Sequence, residues 1–206
     1  MILVTGGVRS GKSAFAERYA ARLAGPGGEV VYVATARVWD GEMARRVARH
    51  QESRPATWQT LEAPTDLAPA LARPPAATAR VVLVDSVDFW VSNRLLDADP
   101  IAGEQIDHRR LTALEAGMLQ EVERITAPPP AGGPGARALI LVTLEAGLGV
   151  VPPSPLGRAF RDLLGRVNQA FAAAAAEVYL MVAGLPVDVA RLSRETRLSE
   201  PLEERA

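Results

Sequence analysis

The chain has 206 residues, of which 48% are hydrophobic and 23% are charged, and its formal net charge at pH 7 is −1. This length suffices for one domain with a full hydrophobic core, so we expect a single domain over residues 1–206. The small net charge gives no attraction to nucleic acid, and the absence of cysteine excludes disulfides, thiolate nucleophiles and cysteine-based metal sites. No apolar stretch is long enough to span a membrane and no basic leader precedes the first strand, so we expect a cytoplasmic location.

A short apolar strand at residues 1–5 leads into the pattern G-x-x-x-x-G-K-S, which is followed by a predicted helix from Ser13 to about Ala24. Strand, glycine-rich loop and helix in this order are typical of the phosphate-binding loop of P-loop nucleotide-binding proteins. Glycines let successive backbone N–H groups point at one anion, and the helix N-terminus adds partial positive charge. The predicted phosphate-binding residues are Gly6, Gly7, Val8, Arg9, Ser10, Gly11, Lys12 and Ser13.

Two side chains at the end of this loop are predicted to carry chemistry. Lys12 is the only lysine in a chain otherwise rich in arginine. A compact ammonium on a flexible stem can reach the terminal phosphates of a nucleotide, so we predict that Lys12 is catalytic. The hydroxyl of Ser13 is predicted to be a ligand of Mg²⁺.

His50 lies on the next predicted helix, residues 40–53. It shares an apolar stripe with Met43 and Val47, at spacings i, i+4 and i+7, so a packed core histidine is one interpretation. The other interpretation is a nucleophile, whose neutral imidazole attacks an α-phosphate while nearby arginines offset the phosphate charge. On the residues alone, both interpretations stay open.

Two further predicted strands, 57–62 and 80–85, end in carboxylates. Glu62 could accept a hydrogen bond from a ribose hydroxyl or a guanine N–H, or could be a surface charge. Asp85 follows an apolar run, which is the pattern of a Walker B carboxylate that binds Mg²⁺ directly or through water. Three more candidates follow a predicted strand at 30–34, namely Thr35, Ala36 and Arg37. For these three, an ordinary polar strand end is the alternative.

The rest of the chain continues the alternation of helices and strands. Further helices are predicted at 67–72, 86–96, 106–126 and 155–176, and further strands at 138–143 and 177–182. Residues 128–136 are predicted to be a flexible loop, 184–186 a turn, and the charged tail from about Ser193 to be frayed. Strands that alternate with helices and are apolar on both faces predict an α/β fold with a mostly parallel central sheet. Together with the phosphate loop after the first strand, this leads us to expect a P-loop NTPase (RecA-like) three-layer fold.

Four blocks of the chain occur in the same order in one known family. They are ILVTGGVRSGKSAFAE at 2–17, VATARVWDGEMARRVARHQESRPATWQTLE at 33–62, LVDSVDFWVSN at 83–93, and LVTLEAGLGVVP with GRAFRDLLGRVNQAFAAAAAEVYLMVAGLP between 141 and 186. On these blocks the chain resembles the bifunctional adenosylcobinamide kinase/adenosylcobinamide-phosphate guanylyltransferases of cobalamin biosynthesis. The most specific part is E-M-x-x-R-x-x-x-H-x-x-x-R-P at 42–55, joined to F-R-D-x-x-G-x-x-N-Q at 160–169.

The resemblance implies two reactions on one scaffold. ATP or GTP phosphorylates the aminopropanol hydroxyl of adenosylcobinamide, and GTP then donates GMP to adenosylcobinamide phosphate, which gives adenosylcobinamide-GDP and pyrophosphate. It also implies that a histidine, here His50, carries the GMP, and that the protein is a homotrimer. GTP contacts are implied for the phosphate loop and for Thr35, Ala36, Arg37, Gln51, Glu52, Ser53, Arg54, Glu62 and Asp85.

The chain departs from the family pattern at a few positions. Leu144 stands where the family usually has asparagine, Pro153 stands where glutamate is common, and a lysine near the C-terminus is missing. These departures leave the predicted nucleotide-binding residues intact. Two other functions are kept as alternatives, namely a P-loop small-molecule kinase without a covalent intermediate and a GTP-binding regulatory subunit.

Overall fold

One seven-stranded sheet organises the computed structural model, which describes residues 1–37, 41, 54–102, 105–128 and 137–196. The strands are β1 (Ile2–Gly6), β2 (Val31–Ala34), β3 (Gln59–Glu62), β4 (Val81–Asp85), β5 (Ile101–Ala102), β6 (Gln105–Ile106), β7 (Ala138–Val142), β8 (Glu177–Val182) and β9 (Leu185–Asp188). The helices are α1 (Lys12–Ala24), α2 (Leu67–Leu71), α3 (Val87–Ala98), α4 (His108–Thr126), α5 (Pro155–Ala174) and α6 (Val189–Glu195).

The strand order in the sheet is β3-β2-β4-β7-β1-β8-β9, and β5 and β6 form a separate antiparallel pair. Within the sheet, all neighbouring strands are parallel except β8 and β9. Parallel strands bring their carboxyl ends to one edge, which is the edge where ligands bind in such folds. The predicted α/β fold with a mostly parallel sheet is therefore confirmed.

Both faces of the sheet are buried, each in its own hydrophobic core. Successive residues of a strand point to opposite faces, so Leu83 packs in the core next to α1, whereas Val82 and Val84 pack in the core formed with α2 to α5. The larger core contains Trp90 and Phe171, which are fully buried. Helix, sheet and helix thus form the three predicted layers.

The C-terminal part of the chain differs from the sequence-based expectation. The predicted turn at 184–186 is wrong in its position, because the chain turns at Ala183 and Gly184, whose φ angles are 50° and 85°. Leu185 and Pro186 instead begin the edge strand β9, where a missing proline N–H is tolerated. Helix α6 then runs to Glu195, past the predicted start of the frayed tail.

Other boundaries move by a few residues, since termini are weakly determined by pattern. Helix α3 extends to Ala98 and α5 ends at Ala174, and the short pair β5 and β6 was not predicted. Of the predicted helix 40–53 the structure describes Gly41 alone, and of the predicted loop 128–136 it describes Pro128 alone. Within the described ranges, no helix is long and apolar enough to cross a membrane.

Candidate nucleotide-binding site

The loop between β1 and α1 has a backbone shaped to receive an anion. Gly6 has a φ of 148° and Gly11 a φ of 92°, values that residues with side chains rarely adopt. Gly11 is the N-cap residue of α1, and among the described residues no side chain caps this helix end. The first N–H groups of α1 therefore point into the loop, where they can donate to a phosphate.

Neighbouring strands hold this loop in place from two sides. The Gly184 N–H, in the turn between β8 and β9, donates to the Ser10 carbonyl oxygen at 3.0 Å. The Glu145 N–H, which follows β7, donates to the Gly6 carbonyl oxygen at 3.0 Å. The Met181 carbonyl oxygen lies so close to Gly6 that a Cβ added there would be 2.6 Å from it. The loop is thus preorganised by contacts on both flanks.

The Lys12 side chain lies over the loop to which it belongs. Its Nζ donates to the Gly7 carbonyl oxygen at 2.8 Å. An ammonium in this position can neutralise charge on a phosphate held by the loop N–H groups. This placement is compatible with the catalytic role predicted for Lys12.

Asp85 ends β4 at the same edge and is oriented by a buried tyrosine. The Tyr32 hydroxyl donates to Asp85 Oδ2 at 3.0 Å. Burial, and after it the charge of Asp85, raises the pKa of the Tyr32 hydroxyl, so this group stays protonated and keeps its proton to donate. The sequence reading missed Tyr32, which looked like one more residue of an apolar strand.

Arg54 packs on the other side of the same tyrosine. Its guanidinium carbon lies 3.2 Å from the centroid of the Tyr32 ring, and its Nε lies 3.8 Å from Glu17 Oε1. The Arg54 side chain is only 7% exposed. Stacking on an aromatic face fixes the orientation of a guanidinium. Tyr32 therefore connects Arg54, the last residue of the predicted GTP-contact group 51–54, to the carboxylate of Asp85.

The Thr35 side chain links the ends of β2 and β4 by hydrogen bonds. Its buried hydroxyl donates to the Ser86 carbonyl oxygen at 2.6 Å and accepts from the Ser86 N–H at 2.8 Å. Asn93, which the sequence reading also missed, donates to the Thr35 and Pro64 carbonyl oxygens at 2.8 and 2.9 Å. The ends of β2, β3 and β4 are thereby tied together under the site.

We expect Asn93→Leu to destabilise the fold by about 2–3 kcal/mol, because the buried Thr35 carbonyl group and the partly buried Pro64 carbonyl group lose their donor. Urea unfolding followed by circular dichroism measures this change. Gln120→Leu is the matched control, since Gln120 is an exposed amide on α4 and its replacement should change stability by less than about 0.5 kcal/mol. Equal effects of the two substitutions would contradict the role given to Asn93.

The other predicted contacts at this edge lie farther from the phosphate loop. Arg37 forms a two-pronged ion pair with Asp97 of α3, with both distances 2.6 Å, and Ala36 is half-buried beside it. Glu62 is exposed at the end of β3, four strands away from β1 in the sheet. At the usual strand spacing this is roughly 19 Å. Glu62 and the phosphate loop can therefore contact only different parts of one nucleotide.

Asp88, in the first turn of α3, is a further carboxylate that the sequence reading did not single out. Its Oδ1 is buried and accepts no hydrogen bond from the described residues. Burial raises the pKa of its carboxyl group most, Asp85 raises it further, and Ser86 and Lys12 lower it. Asp88 is thus close enough to Asp85 and Lys12 for their charges to change the pKa of its carboxyl group. The sequence signal was a charged residue inside the apolar segment that follows the predicted Walker B strand.

We expect Asp88→Asn to raise stability at pH 7 by about 1 kcal/mol, because the native state then no longer buries an ionised carboxylate. Since the pKa of Asp88 is raised on folding, the protonated acid favours the native state at low pH, and this advantage is lost as pH rises through the native pKa. The gain from the substitution should therefore shrink toward zero below about pH 4. Urea unfolding at pH 4, 5.5 and 7 tests this; a pH-independent difference would contradict it.

The residues at this edge fit a Mg²⁺ ion of the kind held partly by nucleotide phosphates. Ser13 offers a hydroxyl at the start of α1, Asp85 a carboxylate, and Asp88 a buried oxygen that has no donor among the described residues. In the part of the chain that the structure describes, no group of three His, Asp or Glu side chains could hold a metal alone. Mg²⁺ in nucleotide sites commonly takes one or two carboxylates and completes its shell with phosphates and water.

Comparison with known proteins places this chain in a family. The cobinamide kinase / cobinamide phosphate guanyltransferase family profile matches residues 2–189. The chain belongs to this family. The bifunctional adenosylcobalamin biosynthesis protein CobP of Pseudomonas aeruginosa is 44% identical to it, covering 90% of this chain and 94% of that protein. The bifunctional adenosylcobalamin biosynthesis protein CobU of Escherichia coli K12 is 40% identical, covering 92% of this chain and 99% of that protein.

Solved structures of similar shape support the fold alone. An ATPase from the type III secretion system of pathogenic bacteria superposes with a TM-score of 0.51 at 14% identity. The match covers 98% of this chain and 59% of the ATPase, so the chain spans little more than half the length of that protein. The structure does not describe every residue of the site predicted for this cobinamide kinase / cobinamide phosphate guanyltransferase. Outside the described residues lie His50, Gln51, Glu52 and Ser53.

Proposed function

We propose that this chain is a bifunctional transferase of cobalamin biosynthesis that phosphorylates adenosylcobinamide and then transfers GMP to the product through a guanylyl-His50 intermediate. The observation that carries the proposal is the family match over residues 2–189, on a chain whose phosphate loop has the geometry to bind a nucleoside triphosphate. ATP or GTP serves the first reaction and GTP the second.

In the kinase step, the aminopropanol hydroxyl oxygen attacks the γ-phosphorus, and the bond from the γ-phosphorus to the oxygen that bridges it to the β-phosphate breaks. The nucleoside diphosphate leaves, and the hydroxyl proton is released to solvent. The N–H groups of the phosphate loop and the Lys12 ammonium offset the charge on the transferred group and on the departing diphosphate. Mg²⁺, with Ser13 and Asp85 as its protein ligands, would supply further charge neutralisation on the phosphate oxygens. Tyr32 keeps the Asp85 carboxylate oriented through its hydrogen bond.

In the guanylyltransferase step, one unprotonated ring nitrogen of His50 attacks the α-phosphorus of GTP and pyrophosphate leaves. A phosphate oxygen of adenosylcobinamide phosphate then attacks the same phosphorus and releases the imidazole. Arg54, four residues beyond His50 in the sequence and stacked on the Tyr32 ring, supplies a cation that could offset phosphate charge. Because the attacking imidazole must be neutral, guanylylation should decline as pH falls below the histidine pKa.

The test is incubation of the protein with Mg²⁺ and GTP labelled in the α-phosphate. We expect an acid-labile label on the wild type, no label on His50→Ala, and full labelling of His108→Ala, which removes the other histidine of the chain. A label that persists on His50→Ala would contradict the assignment. Phosphorylation of adenosylcobinamide without any labelled protein would instead favour a simple kinase, and tight GTP binding without turnover would favour a regulatory subunit.

The proposal extends to a homotrimer that works in the cytoplasm, where nucleoside triphosphates are available. Val182 and Leu185, on either side of the turn between β8 and β9, are 54% and 69% exposed and offer apolar surface near the edge strand. Light scattering should give a mass three times the 21.9 kDa of one chain. A monomeric mass at assay concentration would contradict the trimer and leave the chemistry unaffected.

A further inference from the structure

The segment that follows β7 presents large apolar side chains to solvent at the nucleotide edge of the sheet. Leu148 is 85% exposed, Val150 is 94% exposed and Val151 is 58% exposed. Residues 148–151 are named here the apolar loop. Single exposed apolar residues are ordinary, but a group of them in one short segment marks a surface that a ligand or partner covers.

Hydrogen bonds on both flanks give the apolar loop a defined position. Before it, the Asn168 side-chain amide donates to the Leu144 carbonyl oxygen at 3.0 Å. After it, Arg158 Nη1 donates to the carbonyl oxygens of Pro152 and Pro153 at 3.1 and 2.7 Å. The exposed side chains therefore stand on a backbone that is anchored at each end.

The apolar loop leaves the sheet next to the phosphate loop. Strands β7 and β1 are parallel neighbours, so the segments that follow them emerge side by side. The Glu145 N–H, three residues before Leu148, donates to the Gly6 carbonyl oxygen of the phosphate loop. Val8, within the phosphate loop, is itself 74% exposed. A ligand that extends outward from the phosphate site toward this segment would thus meet exposed apolar surface.

We propose that the apolar loop receives the corrin ring of the acceptor, adenosylcobinamide; this inference rests on the proposed function. The acceptor hydroxyl has to come within about 3–3.5 Å of the γ-phosphorus for transfer. The macrocycle that carries the hydroxyl arm must therefore lie on the surface around the phosphate loop. The methyl groups on the macrocycle and the methylenes of its amide arms provide apolar surface, and association is favoured when this surface is buried against Leu148, Val150 and Val151.

A cavity elsewhere in the fold does not meet the same requirement. A space of about 410 Å³ is lined by Glu29, Gln59 and Arg80, which lie at the amino ends of β2, β3 and β4. That is the edge opposite the phosphate loop, so an acceptor bound there could not place its hydroxyl at the γ-phosphate. A second copy of this chain is the competing occupant of the apolar loop.

The experiment compares Leu148→Ser and Val150→Ser with Leu192→Ser, a control on α6 whose side chain is 47% exposed. For each protein, equilibrium dialysis gives the Kd for adenosylcobinamide, steady-state assays give KM for both substrates, and light scattering gives the mass. We expect each loop variant to raise Kd and KM for adenosylcobinamide about tenfold, as loss of one buried aliphatic contact does. KM for GTP, guanylylation in the absence of corrinoid, and mass should not change, and Leu192→Ser should match the wild type.

Each other outcome overturns the inference in a distinct way. Unchanged Kd and KM for adenosylcobinamide in both loop variants would show that the apolar loop does not contact the corrinoid. A fall in molecular mass would show that a second copy of the chain covers the loop. If the wild-type protein binds no corrinoid, the proposed function and this inference are both wrong. If the wild-type protein binds and turns over adenosylcobinamide but the loop variants behave like it, the proposed function stands and only the inference about the apolar loop is wrong.

Discussion

Lys12→Ala is expected to lower kcat/KM for phosphorylation of adenosylcobinamide by about 10³-fold, because the transition state loses the ammonium that lies over the phosphate loop. The fold should be unaffected, since the Lys12 side chain is partly exposed and lies outside both hydrophobic cores. Steady-state kinetics with adenosylcobinamide and GTP measure the loss, and thermal unfolding verifies the fold.

Arg18→Ala is the matched control for this variant. Arg18 is an exposed cation on the same helix, and its removal should leave kcat/KM within about twofold of the wild type. A similar loss in both variants would show that the effect comes from net charge and not from the position of Lys12. Retention of more than a tenth of the activity by Lys12→Ala would contradict the catalytic role.

Gly6→Ala is expected to destabilise the protein by about 2–4 kcal/mol and to weaken GTP binding at least tenfold. The new Cβ would lie 2.6 Å from the Met181 carbonyl oxygen and 2.9 Å from Ser10 Oγ, at a φ of 148° that alanine rarely adopts. Either the phosphate loop or β8 must shift to make room. Urea unfolding and titration calorimetry with GTP measure the two effects.

Gly7→Ala provides the internal comparison one residue away. A Cβ on Gly7 would meet no atom of the residues that the structure describes within 4 Å, and this glycine is not among those with positive φ. Its stability should stay within about 0.5 kcal/mol of the wild type. If Gly6→Ala and Gly7→Ala behaved alike, the close approach of β8 to the loop would not be what fixes the loop shape.

The parts of the site that were predictable from sequence are those encoded over a few consecutive residues. The phosphate loop depends on glycines at fixed spacing and on one lysine, and Asp85 depends on an apolar run that ends in a carboxylate. The sheet was predictable for a similar reason, because strands buried on both faces, such as Val81–Asp85, are apolar throughout.

The parts that were not predictable depend on contacts between distant segments. Tyr32 reaches Asp85 across 53 positions of sequence, and Asn93 reaches Thr35 across 58. In the sequence, Tyr32 looks like any other strand residue and Asn93 like any other polar residue of a helix. The spacing of apolar and polar residues does not show whether the hydroxyl of Tyr32 or the amide of Asn93 will be buried and will donate a hydrogen bond. Strand β9 was missed because the sequence Gly-Leu-Pro is typical of turns. Pro186 nevertheless lies in a strand, because an edge strand tolerates a residue that has no N–H group to donate.

The hairpin of β8 and β9 connects the edge of the sheet to the phosphate loop through direct contacts. Met181 confines Gly6 and the Gly184 N–H holds the Ser10 carbonyl oxygen, while β9, the next strand outward, ends the sheet. A force that displaces this hairpin therefore also deforms the backbone that presents N–H groups to phosphate. A molecule that binds to β9 would therefore restrict the motion of the phosphate loop, although it binds about two strand spacings, roughly 10 Å, from β1.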